Sequence, residues 1–344
     1  MVSNFSEKDL INIIKRDNEF LIKIRNLKVY FYTEEGIVKA VEGIDLDIKK
    51  GETLGLIGES GSGKTVSALS IIQLLPIPPA KIISGSILFK TNDLLKFSSK
   101  QMRTVRGGKI SMIFQDPMTS LNPLYSVADQ IAENLRVHQK LDPDEAKIEA
   151  IRMMKEVGIP DAEKRSQDFP HQFSGGMRQR IMIAIALSCR PLLLIADEPT
   201  TALDVTIQAQ VLNLIENLKQ KYNTAVLYIT HNFAVVAEIA DRVAVMYAGY
   251  IVEENSCLEC FVNPAHPYTR DLLSSIPRVD RKLDHLEVIK GSIPNLINPP
   301  SGCRFHPRCK DVMDICNEEV PERIEIAPRH FVRCHLYSQR DYNE

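Results

Sequence analysis

Short apolar runs alternate with segments of helical periodicity from residue 20 onward. The run TLGLIG at 53–58 has the unbroken hydrophobicity of a buried strand and ends in a glycine-rich loop. Two further apolar runs, LLLIA at 192–196 and AVLYIT at 225–230, are each followed by a helical pattern. This alternation is typical of an α/β protein with a mainly parallel sheet.

The chain divides by pattern into three parts. Residues 1–19 form a polar extension with one short amphipathic helix over 9–16. Residues 20–261 carry the α/β pattern, interrupted at about 116–190 by a helical subdomain with helices predicted over 127–138, 142–157 and 175–188. Beyond residue 261 proline density rises and periodicity fades, which predicts a small irregular C-terminal domain over 262–344.

The sequence GESGSGKT at 58–65 fits the P-loop pattern between a strand and a helix. In such a loop the backbone amides and the helix N-terminus bind phosphates, Lys64 reaches the β and γ phosphates, and Thr65 offers its hydroxyl to Mg²⁺. A glycine-rich turn matched by chance is the alternative, and the flanking strand and helix argue against it. The predicted nucleotide-binding residues here are Gly58, Ser60, Gly61, Ser62, Gly63, Lys64, Thr65 and Val66.

Two acids, Asp197 and Glu198, directly follow the apolar run at 192–196. They therefore stand at the carboxyl end of a predicted strand, where α/β sheets place their ligands. Asp197 is the candidate Mg²⁺ ligand, and Glu198 is the candidate base that accepts a proton from the attacking water. A solvated acidic turn at the end of a strand is the alternative. The P-loop in the same chain favours the catalytic interpretation.

Charge and composition exclude several classes of protein. The 42 basic and 44 acidic residues nearly cancel, so the chain lacks the excess charge that carries non-specific binding to nucleic acid or anionic membranes. No apolar stretch approaches the roughly 20 residues of a membrane helix, and the charged N-terminus does not resemble a secretory signal. We therefore expect a protein of the reducing cytosol, whose seven cysteines are thiols or metal ligands.

The segment FSGGMRQ at 173–179 resembles the signature motif of ABC-type ATPases. Other family positions follow in register: Gln115 resembles the Q-loop glutamine, the segment ALD at 202–204 resembles the D-loop, and His231 resembles the switch histidine. The motif begins FSGGM rather than LSGGQ, and Asn232 stands where aspartate is common. Neither change removes a group that contacts phosphate.

The resemblance covers residues 20 to about 255 and implies the ABC-type ATPase fold, with an antiparallel β subdomain beside the helical one. It implies head-to-tail dimers in which Ser174 and Gly176 of one subunit bind the γ phosphate held by Lys64 of the other. By position, Phe31 is the aromatic residue that stacks on adenine, with Tyr30 and Tyr32 as rivals. The remaining implied roles are catalysis by Glu198, His231 and Gln115, Mg²⁺ binding by Thr65, Gln115 and Asp197, and nucleotide contact by Gln115 and Asp204.

The C-terminal segments HPYT (266–269), GSIPNLINPPSGC (291–303) and FHPRC (305–309) are similar to the tail of oligopeptide and dipeptide importer ATPases. That branch includes nickel and glutathione importers. The resemblance implies an ATP-hydrolysing subunit that powers peptide import, peripheral at the cytoplasmic face of the cell membrane. The implied partners are a second ABC ATPase subunit, identical or homologous, two transmembrane permease subunits and an extracytoplasmic peptide-binding protein, with no nucleic acid.

Four cysteines of the tail have the spacing C-x₅-C-x₆-C-x₁₇-C: Cys303, Cys309, Cys316 and Cys334. The spacing alone leaves zinc, an iron–sulfur cluster and free thiols open. The resemblance favours a 4Fe–4S cluster, and the neighbouring Arg304, Arg308, Arg329 and Arg333 are expected to offset thiolate charge. The pair Cys257 and Cys260 has no matching second pair, so we interpret it as packing.

Two rival interpretations come from other classes of protein. A soluble ABC ATPase acting on ribosomes or DNA would ordinarily show two ATPase units, a coiled-coil insert or a basic arm. A redox protein built around the cysteine tail would need exchange partners that the sequence does not reveal. The sequence favours the importer ATPase over both.

Overall fold

The computed structural model describes residues 19–201, 204–275, 289 and 291–338. The chain divides into two compact units, described here one at a time. The first comprises the described residues of 1–23, 47–52 and 88–227, and the second those of 24–46, 53–87 and 228–344. The helix predicted over 9–16 lies outside the described residues.

The strands are β1 (Phe20–Thr33), β2 (Gly36–Lys49), β3 (Thr53–Ile57), β4 (Ala80–Phe89), β5 (Asn92–Asp93), β6 (Ile110–Ile113), β7 (Leu193–Asp197), β8 (Ala225–Thr230), β9 (Arg242–Tyr247), β10 (Tyr250–Ser256), β11 (Ile324–Ala327) and β12 (His330–Val332). The α-helices are α1 (Lys64–Ile71), α2 (Ser99–Val105), α3 (Pro117–Ser120), α4 (Val127–Gln139), α5 (Pro143–Glu156), α6 (Ala162–Arg165), α7 (Gly175–Leu187), α8 (Val205–Tyr222), α9 (Phe233–Ile239), α10 (Cys257–Val262), α11 (Pro267–Ser274) and α12 (Ile315–Glu318).

The first unit contains the predicted helical segments, and their bounds match the sequence periodicity to within about one residue. Local capping explains where they begin: Ser126 accepts a hydrogen bond from the Asp129 amide at the start of α4, and Asp142 caps α5 ahead of a proline at its first position. In the same unit β6 and β7 pair in parallel, as buried apolar strands do in an α/β sheet.

The second unit is built on strands in the order β11-β12-β10-β9-β3. Strand β3 is parallel to β9, whereas β10 pairs antiparallel with β9 and β12 antiparallel with β10. One core cluster joins Ile57 of β3 with Tyr268 and Phe305 from the C-terminal segment. The tail therefore shares its core with the strand that precedes the P-loop.

The α/β class with a β subdomain and a helical subdomain is confirmed. Within the second unit β1, β2 and β4 lie in the order β2-β1-β4. The last two residues of β4, 88–89, belong to the first unit, where they pair antiparallel with β5. In the part of the chain that the structure describes, no helix is long and apolar enough to cross a membrane.

Candidate functional site

The P-loop follows β3, whose five residues are all buried. Only glycine fits at positions 58 and 63, because neighbouring backbone lies too close for a side chain. A Cβ on Gly58 would lie 2.1 Å from the Met246 carbonyl oxygen, and a Cβ on Gly63 would lie 2.5 Å from the Ala40 carbonyl oxygen. Gly63 also adopts a left-handed conformation at the N-cap of α1 and supplies no side-chain cap. The first amides of α1 therefore face the loop as a phosphate-binding helix N-terminus.

Lys64 is 5% exposed and lies within the loop. Its Nζ donates to the carbonyl oxygens of Gly58 at 2.7 Å and Glu59 at 2.9 Å. Ser62 is buried, whereas Ser60 and Thr65 are exposed. The ammonium group is thus hydrogen-bonded to the loop's own carbonyl oxygens, beside the amides that would bind phosphate.

The first unit brings Gln115 and Glu198 together. Gln115 follows β6, Glu198 follows β7, and the Gln115 amide nitrogen donates to Glu198 Oε2 at 3.0 Å. The Thr201 hydroxyl donates to the same oxygen at 3.0 Å. Glu198 has a φ of 46°, a sparsely populated conformation for a residue with a side chain, and Asp197 beside it is 4% exposed.

The signature motif lines an open cleft of about 410 Å³ in the first unit. Ser174 is the N-cap of α7, and its Oγ accepts from the Met177 amide at 3.4 Å. Gly176 and Asp204 lie in the same cleft, and Asp204 caps α8 by accepting from the Ile207 amide at 2.9 Å. The cleft combines a helix N-terminus with a hydroxyl, which suits an anion. Ala202 and Leu203 of the predicted D-loop lie outside the described residues.

The departures from the usual family motifs have local explanations. Phe173 is buried, and the Arg165 guanidinium lies 4.1 Å from its ring centroid. Asn232 is the N-cap of α9, where its side chain accepts from the Ala234 amide at 3.0 Å. Asparagine and aspartate cap helices about equally well, so the exchange preserves the turn that carries His231.

The adenine candidates differ in their surroundings. Tyr30 donates its hydroxyl to the Glu42 carboxylate at 2.9 Å, and burial together with that carboxylate raises the pKa of Tyr30 to about 12. Tyr32 is 46% exposed, and Phe31 is partly buried. Phe31 as the adenine-stacking residue stays a prediction.

The four tail cysteines lie in one region of the second unit. The Cys303 amide donates to the Cys316 carbonyl at 2.9 Å, and the Gly302 backbone packs so closely there that a Cβ would lie 2.4 Å from the same oxygen. Burial, followed by the charges of Cys303, Cys309 and Cys316, raises the pKa of Cys334 to about 12. All four are free thiols. Among the described residues, no three histidine, cysteine or acidic side chains lie close enough together to hold a metal ion.

Two of the four arginines beside the tail cysteines contact carboxylates. Arg304 is 6% exposed, and its Nη1 donates to the Ala248 carbonyl at 2.5 Å while Nη2 contacts Glu42 at 3.3 Å. Arg308 is directed to Glu59. Each of these two guanidinium groups is thus paired with a carboxylate, and the expectation that they offset thiolate charge stays a prediction.

Cys257 and Cys260 are buried in the apolar cluster of the second unit, as packing residues would be. Burial raises the pKa of both thiols, which keeps them neutral. The structure thus agrees with their interpretation as core side chains.

A contact that sequence analysis missed joins the tail to the P-loop within the second unit. Arg308 donates from Nη1 and Nη2 to the two carboxylate oxygens of Glu59 at 2.8 and 3.1 Å. The Glu59 amide donates to the Tyr268 hydroxyl at 3.0 Å. These partners are more than 200 residues apart along the chain, so no local pattern signals them.

Comparison with known proteins decides the family. Residues 41–201 match the ABC transporter family model, and residues 252–316 match that of the oligopeptide/dipeptide transporter C-terminal region. The oligopeptide transport ATP-binding protein AppD of Bacillus subtilis is 50% identical over 319 residues, covering 93% of this chain and 97% of that protein. The chain belongs to the peptide-importer branch of the ABC transporter ATPases.

Other members of the ABC family support the assignment. The dipeptide transport ATP-binding protein DppD of Bacillus subtilis is 50% identical over 322 residues, covering 94% of this chain and 96% of that protein. The bacterial ABC transporter cassette MJ0796, solved as a dimer in a post-hydrolysis state with ADP and Pi, superposes with a TM-score of 0.62. It is 25% identical and covers 69% of this chain and 98% of its own.

Proposed function

We propose that this chain is the ATP-hydrolysing subunit that powers import of dipeptides or oligopeptides through a membrane ABC transporter. The observation that carries the proposal is the P-loop itself, in which Lys64 is hydrogen-bonded to loop carbonyl oxygens and the N-terminus of α1 has no side-chain cap. The hydrogen-bonded pair of Gln115 and Glu198 also supports the proposal, because a positioned carboxylate can activate the attacking water. The branch of the family adds peptides as the transported substrates.

We assign to these side chains the roles in ATP binding and hydrolysis that the family resemblance implies. Lys64 and the loop amides would bind the β and γ phosphates, and Phe31 would stack on the adenine. Mg²⁺, which neutralises phosphate charge, would be held by Thr65, Gln115 and Asp197. The remaining contributors are Glu198, which would accept the proton of the attacking water, and His231, which would contact the γ phosphate.

The working unit is a dimer of ATPase subunits. The cleft of Ser174, Gly176 and Asp204 presents a helix N-terminus and a hydroxyl, groups that suit the γ phosphate of a nucleotide bound to the other subunit. The dimeric MJ0796 cassette supports this arrangement. Closure with ATP and opening after hydrolysis would then drive the membrane subunits.

The partners are a second ATPase subunit, two permease subunits and an extracytoplasmic peptide-binding protein, with the chain at the cytoplasmic face of the membrane. Leu124 and Tyr125 in the helical subdomain are 80% and 57% exposed, and adjacent exposed apolar side chains of this size favour a protein contact. Nickel or glutathione import is the alternative within the branch.

Glu198→Gln tests the catalytic assignment. The amide oxygen of glutamine can keep accepting from Gln115 and Thr201, while the basic oxygen is replaced by a donor. We expect ATP hydrolysis by the assembled transporter to fall by about 10²- to 10⁴-fold, with MgATP affinity within about threefold of the parent. Undiminished hydrolysis would refute the role of Glu198.

Peptide uptake tests the transport assignment separately. Cells that carry the intact transporter should accumulate labelled dipeptides or oligopeptides, and cells with Glu198→Gln should not. Uptake of nickel or glutathione with no uptake of peptides would replace the proposed substrate while leaving the ATPase assignment intact.

We propose as a finer element that Cys303, Cys309, Cys316 and Cys334 bind a 4Fe–4S cluster. Four free thiols in one region of the second unit, two of them buried, are the donor set of such a cluster. The four thiols would have to converge on the metal and lose their protons, against the burial that raises the pKa of Cys303 and Cys334. When bound, the cluster would cross-link the tail.

Anaerobic purification tests the cluster. The protein should be brown and contain about four iron and four sulfide per chain, and Cys316→Ser should lose the colour. Cys257→Ser is the matched control, because that buried thiol belongs to the apolar cluster instead. Colourless anaerobic protein with zinc or no metal would overturn the cluster and leave the ATPase assignment standing.

A further inference from the structure

Glu59 follows the first P-loop glycine, and hydrogen bonds hold its amide, its carbonyl oxygen and its carboxylate. Its amide donates to Tyr268 Oη, its carbonyl oxygen accepts from Lys64 Nζ, and its carboxylate is bound by both terminal nitrogens of Arg308. Two of the three contacts come from the C-terminal segment, and all four residues belong to the second unit. The tail thus fixes both the backbone and the side chain of this loop residue.

The anchors themselves are rigidly placed. Tyr268 is fully buried and packs against Tyr247 with ring centroids 4.6 Å apart. The Arg308 side chain is 5% exposed, and its Nη1 also donates to the Tyr247 hydroxyl at 3.3 Å. Phe305 closes the same aromatic group, at 5.3 Å from the Tyr268 ring. Buried, paired donors of this kind lose little further entropy in holding their partner.

Charge gives the Arg308 contact a second effect. Glu59 is the acidic residue of a loop that binds phosphate anions through its amides. An unpaired carboxylate within a Debye length, about 8 Å at physiological ionic strength, would repel a triphosphate bound there. The guanidinium of Arg308 neutralises that carboxylate and, because its fork matches the carboxylate geometry, also fixes its orientation.

A second arginine of the tail is connected to the P-loop through an intervening residue. Arg304 donates to the Ala248 carbonyl, and the next residue, Gly249, donates its amide to the Ser62 carbonyl of the P-loop at 2.8 Å. Arg308 thus contacts the loop directly at Glu59, and Arg304, which lies just before the 3₁₀ turn His306–Arg308, contacts it indirectly through Ala248 and Gly249. The geometry of the tail is coupled to the phosphate loop at two points.

We propose that Arg308 and Tyr268 are positioning residues for the P-loop: they hold Glu59 in place and neutralise its charge, so that the C-terminal tail sets the affinity of the site for MgATP. The proposal rests on the proposed function, since it takes the loop to be the ATP site. It extends that function by giving the tail a direct part in nucleotide binding.

The test measures MgATP binding to the full purified chain, with thermal melting of each variant recorded alongside. Arg308→Ala should weaken binding by about 10- to 100-fold, the range that repulsion between two unit charges about 8 Å apart gives near a protein surface. Arg308→Lys, which keeps the charge but not the fork, should fall between Arg308→Ala and the parent. Tyr268→Phe should weaken binding by a few-fold, because it deletes one oxygen and leaves the ring in its core.

The deciding variant is the double change Arg308→Ala with Glu59→Gln. If the repelling carboxylate is the main cost, removing its charge should recover most of the affinity that Arg308→Ala loses, although it restores no contact to the tail. Glu59→Gln alone should stay within about threefold of the parent, because the guanidinium can still donate to the amide oxygen. A merely structural role for Arg308 gives no such rescue.

The matched control is Lys310→Ala. Lys310 lies two residues from Arg308 and pairs with Asp271 at 3.0 Å, at a site that does not involve the P-loop. It should bind MgATP as the parent does. Equal affinity of Arg308→Ala and the parent, or no recovery by Glu59→Gln, would overturn the proposal.

The proposed function can fail separately. A parent chain that binds and hydrolyses ATP but supports no peptide uptake would refute the substrate assignment and leave the positioning role intact. A parent that binds ATP with an affinity indifferent to Arg308, Tyr268 and the rescue would refute only the positioning role. If Arg308→Ala lowers the melting temperature sharply, Arg308→Lys and Tyr268→Phe decide the outcome.

Discussion

Glu253 of β10 is a buried carboxylate whose replacement by glutamine should destabilise the second unit. Its side chain is fully buried, and it accepts from the Ala265 amide at 2.8 Å, the His266 amide at 2.9 Å and His330 Nε2 at 2.9 Å. Glutamine has one acceptor oxygen, so its NH₂ group must face at least one of these donors.

The magnitude follows from those contacts. Losing one charge-assisted hydrogen bond costs about 1.5–3 kcal/mol, and leaving a buried backbone amide without an acceptor costs about 1–3 kcal/mol more. Together these give an expected loss of about 2.5–6 kcal/mol in the free energy of unfolding.

The pH dependence of this loss has a defined sign. Burial alone would raise the pKa of Glu253, but the hydrogen bonds from His330, Ala265 and His266 outweigh it, so the pKa is lowered from 4.5. The stability that the carboxylate contributes is present above pH 4.5 and is lost as pH falls through the lowered value. Because glutamine does not titrate, the difference between parent and Glu253→Gln should shrink as the pH falls below 4.5.

Urea denaturation followed by circular dichroism at several pH values measures the difference. Glu259→Gln is the matched control: Glu259 is exposed in α10 and should change stability by less than about 0.5 kcal/mol. A Glu253→Gln variant as stable as the parent at pH 7, or a difference that grows at low pH, would refute the reasoning.

Three further predictions follow. Burial lowers the pKa of His266 to about 4, so the free energy of unfolding should lose this residue's contribution as the pH falls from 6.5 toward 4. Urea titration of His266→Asn should not show that loss, because asparagine does not titrate and still caps α11. Asn232→Ala should lower stability by about 0.5–2 kcal/mol in thermal melts, whereas Asn232→Asp, which keeps the cap, should be near neutral. Gly58→Ala should abolish MgATP binding in calorimetry, because its Cβ would lie 2.1 Å from the Met246 carbonyl oxygen.

Elements of the ATP site could be predicted because their signals are local. The P-loop is marked by the spacing of its glycines before Lys64, although the carbonyl oxygen that excludes a Cβ at Gly58 belongs to the distant Met246. The helices over 127–139, 143–156 and 175–187 follow from apolar periodicity with capping residues. The grouping of Gln115 with Glu198 was predictable only through the family resemblance, since each follows a different strand.

The contacts of the tail could not be predicted in the same way. Strand β12 has three residues, too few for a period to be read, and it is held by pairing with β10. Arg308 looked like a partner for thiolates because it precedes Cys309, but sequence proximity does not show where a long side chain points. Its partner Glu59 lies 249 residues away. A pair this distant becomes visible only when the chain is folded.

The pairing of β12 with β10 also protects the protein against self-association. Glu253 and Glu254 of β10 pair with Val332 and Phe331, so the tail occupies an edge that would otherwise present unpaired backbone groups of an almost wholly buried strand. Open edges of this kind recruit strands from other molecules. A chain shortened to end before residue 324 would keep every nucleotide motif and yet expose this edge, and we expect it to aggregate at concentrations at which the full chain does not.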